Sequence, residues 1–346
     1  MKRIILVFFG LLLAIPAFSQ ANLQPAATIN IIRTEAISVG QLRTEVERME
    51  RSANRALTQT ERLQVLDVIL NERLVLQAAE RDRITVTDNE INSHVQQLRA
   101  TMAQQIGRQP TDAEFAQAIM SESGLEMAAF RDQLRRQMIV QKYLMHRKGD
   151  IINAVRMPTE EEIAAEYTLR RTELLRPETI RFSMIQVPYG PDAASRTRAR
   201  TLADSLVREI NNDPSKFDDV AARSIAPNSG YQAGDAGFLP RNAEARQLVG
   251  QNFMDVAFAL RQGQVSRLIE GNQGFQIIKV TENYASRQLE LTDILQLGTR
   301  VTVREYIGQF LLNQRQQQAL LQASNELVTE LRSGRTFQIF ENNVRW

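Results

Sequence analysis

Five copies of one short pattern constrain this chain more than any other feature. Thr-x-x-Glu occurs at Thr58/Glu61, Thr87/Glu90, Thr111/Glu114, Thr159/Glu162 and Thr302/Glu305, each ahead of an amphipathic stretch. In this pattern a threonine hydroxyl accepts from the third backbone N–H, and the glutamate reaches back to the threonine N–H. Each copy therefore marks a helix start. The spacing predicts helices over about 59–82, 88–106, 112–121, 125–148 and 160–173, with another at 39–52 and a long one at 303–333. Such a chain is largely helical, and its tracts rich in Gln, Arg, Glu, Leu and Ala agree.

The texture changes at Pro177. Residues 179–190 (TIRFSMIQVPYG) alternate as a strand does, and helices are expected at 196–212, 217–224 and 252–260. Residues 263–280 read as two strands around a turn. Two further strand signals stand far apart, a hairpin at 29–38 and TFQIF at 336–340, and pairing of 336–340 with 29–33 would complete both. The fold class is therefore α+β: a mostly helical N-terminal module completed by a C-terminal helix and strand, with an inserted α+β domain. The expected divisions are 1–20, 21–175, 176–284 and 285–346.

The first segment has the form of a secretory signal. Lys2 and Arg3 precede an apolar run from Ile4 to Phe18, broken by Pro16 and followed by small residues. Cleavage near Gln20 or Asn22 would place the protein in the periplasm, without an integral membrane span. Its loss leaves 40 basic and 40 acidic residues. The interspersed charges form no basic stripe for nucleic acid. The chain has no cysteine, which excludes disulfides, thiol catalysis and a lipoprotein anchor.

The chain has two histidines, His94 and His146, on separate predicted helices and without partners at metal-ligand spacing. Glu160, Glu161 and Glu162 fill a first helical turn, where acids suit the macrodipole. No phosphate-binding glycine loop, zinc spacing or Ser/His arrangement is present. No metal, cofactor or nucleotide is expected. Met102, Met120, Met127, Met138, Met145 and Met157 crowd one stretch. Methionine serves equally as core filler and as an adaptable surface for varied apolar partners.

Residues 177–284 resemble a parvulin-type (PpiC) peptidyl-prolyl isomerase domain. The resemblance rests on "GDAG" at 234–237, Phe253 and Phe258 in "F-x4-FAL", "GQVS" at 263–266 and "GFQIIKV" at 274–280. With the leader and helices around it, the whole chain resembles periplasmic chaperones of the SurA/PrsA family. The resemblance implies histidines on the first and last strands and a cysteine or aspartate on the intervening loop. It places those positions at Ser183, Gln276 and Ala226, so all three polar roles are altered. On the apolar side it implies Phe253, Phe258, Leu248 or Val249, and Ala236 in place of a bulkier residue. Ser183 and Gln276 are expected to hydrogen-bond across the sheet, and "GDAG" to form a structural loop in which Asp235 bonds local backbone donors.

The resemblance thus implies an ATP-independent holdase for unfolded outer-membrane or secreted proteins, with a parvulin domain inactive or weakly active. The alternative is an active prolyl isomerase built on Ser183, Gln276 and Phe253. A scaffold that retains only the fold is a third class.

Overall fold

The computed structural model describes residues 22–211 and 213–346. The expected leader at 1–20, with Lys2, Arg3 and Pro16, lies outside them. Among the described residues no helix is long and apolar enough to cross a membrane. The fold is α+β, and the chain divides into two compact units, Met1–Val155 with Arg315–Trp346, and Arg156–Gln314.

In the first unit, β1 (Pro25–Asn30) and β2 (Thr34–Ser38) form a hairpin. Helices α1 (Val39–Ala53), α2 (Gln59–Arg81), α3 (Asp88–Ile106), α4 (Asp112–Ser123) and α5 (Met127–Asn153) follow. The Thr58, Thr87 and Thr111 boxes are all formed, and Ser38 with Gln41 makes one more. Ile29, Leu42, Leu66, Leu70, Leu74 and the fully buried Tyr143 belong to one core, and the Tyr143 hydroxyl donates to Asp82 Oδ2 at 2.8 Å. Met102, Met127 and Met138 pack against a second cluster around Ile91, Phe115 and Leu134, whereas Met120 and Met145 are exposed. Methionine therefore fills core in part of this stretch and faces solvent in another.

Gln77 is the buried polar residue that shapes the hairpin. Its side-chain oxygen accepts from Ile31 N at 3.1 Å, and its amide donates to Glu35 at 3.0 Å. Backbone donors at the hairpin turn thus find a partner inside the core.

The second unit begins with α6 (Glu160–Arg170), opened by the Thr159 box, and the short β3 (Leu175–Arg176). Next come β4 (Thr179–Pro188), α7 (Ala193–Ile210), α8 (Pro214–Arg223), β5 (Gln232–Pro240), α9 (Ala243–Val249) and α10 (Gln251–Ala259). β6 (Ile269–Glu270), β7 (Gly274–Tyr284) and β8 (Arg287–Gln288) complete its strands. The sheet order is β5-β4-β7-β6, antiparallel throughout, with β3 and β8 as a separate pair. Ile163 and Tyr167 of α6 group with Leu174, Leu289, Val303 and Ile307, so this helix sits with the second unit's residues.

Helix α11 (Val303–Ser333) starts at the Thr302 box, where Glu305 accepts from Thr302 N at 2.8 Å. β9 (Phe337–Ile339) follows, then a 3-10 turn at Glu341–Val344. β9 pairs antiparallel with β1 through Ala27↔Ile339, Thr28↔Gln338 and Ile29↔Phe337. The partners are Ala27–Ile29, two positions earlier than the expected 29–33, because Ile31 and Ile32 turn into the Gln77 cap.

Candidate functional site

The candidate site lies on the four-stranded sheet, which is covered on both faces. Ile185 and Val187 of β4 and Phe275 and Ile277 of β7 face α7 and α8. Phe182, Met184, Ile278 and Val280 face α9 and α10. Alternation along a strand explains the split, since successive side chains point to opposite faces.

The same alternation separates two of the expected site residues. Ser183 is the register partner of Lys279, whereas Gln276 is the partner of Gln186. Ser183 shares the α7/α8 face with Ile185, and Lys279 there reaches Asp218 over the Phe217 ring. Gln276 pairs with Ile269 and belongs to the α9/α10 face. The expected hydrogen bond between Ser183 and Gln276 is therefore not made. On β4 it is Met184, the neighbour of Ser183, that shares the Gln276 face, together with Phe182 and Gln186. The alternation of buried Phe182, Ile185 and Val187 carries that information, but only once the faces are assigned.

Phe253, Phe258 and Val249 do come together with Met184 and Ile278. Phe253 is 3% exposed and meets Phe182 edge-on at 5.6 Å, so it is a core residue. Leu248, by contrast, is 80% exposed and takes no part in that cluster. Ala226 lies in the turn after α8, where its N–H bonds Arg223 O at 3.1 Å and its carbonyl accepts from Ser229 N at 3.2 Å.

"GDAG" is not a loop but the middle of β5, paired with β4. Phe182 opposes Gly237 and Ser183 opposes Asp235, leaving Ala236 as the extra residue of a bulge. Gly237 takes φ +81°, a left-handed conformation that favours glycine. Asp235 Oδ1 accepts from Gly237 N at 2.9 Å, the expected local bond. Its other oxygen accepts from Arg181 at 2.6 Å, and Arg181 also reaches Glu282 on β7 at 3.0 Å. Arg181 holds the Asp235 carboxyl below its usual range, aided by the Gly237 N–H. Glu282 is lowered by the Tyr284 hydroxyl and then by Arg181. This chain of charges ties β5, β4 and β7 together and explains the motif structurally.

Gln276 rests on the β6–β7 turn. A Cβ added to Gly271 would lie 2.9 Å from its Oε1, and the Tyr189 hydroxyl holds the Gly271 carbonyl at 2.9 Å. His94 and His146 lie in α3 and α5, and no group of residues that could hold a metal occurs among the described residues.

Residues 2–144 match the SurA-like N-terminal domain, and residues 182–282 match the PPIC-type PPIASE domain. Chaperone SurA of Chromohalobacter salexigens is 25% identical over 287 residues, covering 80% of this chain and 61% of that protein. Chaperone SurA of Pseudoalteromonas translucida is 23% identical over 280 residues, covering 77% and 59%. The chain thus spans less than two thirds of the length of these curated relatives. A SurA-like chaperone structure from Campylobacter jejuni aligns over 91% of this chain and 99% of its own, at 11% identity and a TM-score of 0.38. The chain therefore carries a SurA-like N-terminal domain ahead of a PPIC-type PPIASE domain, and is similar to curated SurA chaperones over most of its length.

Proposed function

We propose that this protein is a periplasmic, ATP-independent holdase for unfolded outer-membrane or secreted proteins, and that its parvulin domain has little or no isomerase activity. In this reading the first unit, with the helices of residues 22–155 and the C-terminal segment 315–346, carries most client contact. Binding would be weak and reversible, competing with aggregation of exposed apolar segments.

One observation carries the reading. The sheet face that holds Gln276 presents Met184, Gln186 and Ile278, and the second unit contains no histidine. Rotation about an X-Pro bond has a barrier of roughly 18–20 kcal/mol. Met184 brings no titratable or strongly polar group to the twisting amide, and Gln276 brings a neutral one. Phe253 is packed on Phe182.

The test pairs two assays on the full chain lacking its leader. Uncatalysed X-Pro exchange takes on the order of tens to hundreds of seconds, so modest catalysis on a proline tetrapeptide is easy to see. Little or none is expected, alongside suppressed aggregation of a denatured client at near-stoichiometric ratios. Strong turnover abolished at Gln276 or Ser183 would establish the isomerase instead. Absence of both activities would leave the scaffold.

A further inference from the structure

Three glutamines cross the sheet in one row. Gln186 on β4 is the register partner of Gln232 on β5 and of Gln276 on β7. Directly opposed residues of antiparallel strands share a face, with Cβ atoms about 4.5–5.5 Å apart. The row therefore lies on the Met184/Ile278 face, at the rim of the apolar cluster. Gln232 is exposed, and Gln186 and Gln276 are half-buried. None of the three side chains hydrogen-bonds to any described residue, or to one another, although they are neighbours. Gln276 is also backed by Gly271, whose carbonyl Tyr189 holds in place.

Each carboxamide offers two N–H donors and a carbonyl acceptor and carries no charge. Half-buried groups of this kind gain most from a ligand that supplies the missing bonds. The row's register partners bring no charge to it, ending at Ile269. Along the row itself no register partner supplies a counter-charge for an anion or a cation. The matching ligand is neutral, with donors and acceptors repeating along its length, and it has apolar groups to set beside Met184. That describes polypeptide main chain.

We propose that Gln232, Gln186 and Gln276 form a main-chain reader, which hydrogen-bonds the backbone N–H and C=O groups of an extended, unfolded segment irrespective of its side chains. This rests on the holdase reading and specifies one surface through which it acts. It makes the parvulin domain a binding module whose chemistry is amide to amide.

The test uses the full chain lacking its leader and a capped, neutral 15-residue peptide of Ala, Ser, Thr and Gly. A second copy of the peptide carries N-methyl groups at alternate amides, which remove N–H donors and keep the side chains. The unmodified peptide should bind about tenfold more tightly, the size of one or two net hydrogen bonds. Replacing all three glutamines by methionine, similar in length but without the amide, should abolish that preference. If the triple variant melts early, Gln232→Met alone, at the exposed end, should still reduce it. Equal binding of both peptides by the unaltered protein overturns the proposal, as does a preference untouched by these substitutions. Maltoheptaose, a neutral glycan, is the control ligand, and glutamine-dependent binding of it also overturns the assignment. Suppressed aggregation without discrimination between the peptides sinks the row and leaves the holdase reading. Discrimination without suppressed aggregation does the reverse.

Discussion

Ser183 and Gln276 stand on opposite faces of one sheet, three strand positions out of register. Three positions on a strand are about 10 Å, and the odd offset turns the side chains apart. Aligned by motif alone they look like partners. Paired by hydrogen-bond register, Gln276 belongs with Gln186, and Met184 rather than Ser183 shares its face.

Substitutions at these positions should therefore behave differently. Ser183→Ala should leave proline-peptide binding and aggregation suppression unchanged, since its side chain points to the α7/α8 side. Gln276→Met should alter peptide binding severalfold, about what losing one net hydrogen bond does. A larger effect at Ser183 than at Gln276 in titrations of the same peptide would contradict the assignment of faces.

Phe253→Ala tests whether that ring lines an open pocket or fills core. Burial and the Phe182 contact predict a loss of about 3–5 kcal/mol, the usual cost of truncating a buried phenylalanine. Denaturant unfolding of the variant should show it as a lowered midpoint. A loss below about 1 kcal/mol would mean the site collapses easily around the missing ring.

Gln77→Leu keeps the volume and removes the hairpin cap. Backbone donors at Ile31 and Ile32 then lose their partner, at about 2–3 kcal/mol in total. Amide exchange at those two residues should accelerate in the variant. Unchanged protection there would show that the hairpin does not depend on Gln77.

Truncation after Ser333 removes β9, the fully buried Val344 and Trp346, whose ring lies under Arg43 at 4.8 Å and Arg62 at 5.3 Å. Losing several buried apolar side chains should lower the melting temperature of the first unit by about 10 °C. Identical melting with and without residues 334–346 would refute this docking.

Acid should weaken the first unit in a defined window. Asp82 is lowered to about 2, first by its hydrogen bond to Arg81. Glu61, Glu90 and Glu114 are each lowered to about 2, first by Arg55, Lys142 and Arg108 respectively. Unfolded carboxylates titrate near 3.9–4.3, so their contribution is complete above about pH 5 and is lost as pH falls toward 2. These groups are half-buried at the surface and reached by solvent, so each contribution is small and is screened by salt. The melting temperature should fall steadily from pH 5 to pH 2. A flat profile down to pH 2.5 would show that these bonds add no net stability.

Much of the architecture is readable in the sequence because it is local. A capping box needs only four residues, and all five Thr-x-x-Glu copies open the helices expected of them. The strand signal at 179–190 and the long helix from 303 likewise rest on short-range periodicity. Tertiary structure decided the rest. "GDAG" has the composition of a loop, yet β4 supplies a pairing edge and Arg181 supplies a charge for Asp235, which together hold it as a strand with a bulge. Helix α9 is seven residues long, too short for periodicity to mark it. The glutamine row joins residues 186, 232 and 276, and no local pattern links them. Side-chain period in a strand is two, so a one-residue shift in register exchanges every face. That register is set by hydrogen bonds between strands distant in sequence, and it decides which residues share the site.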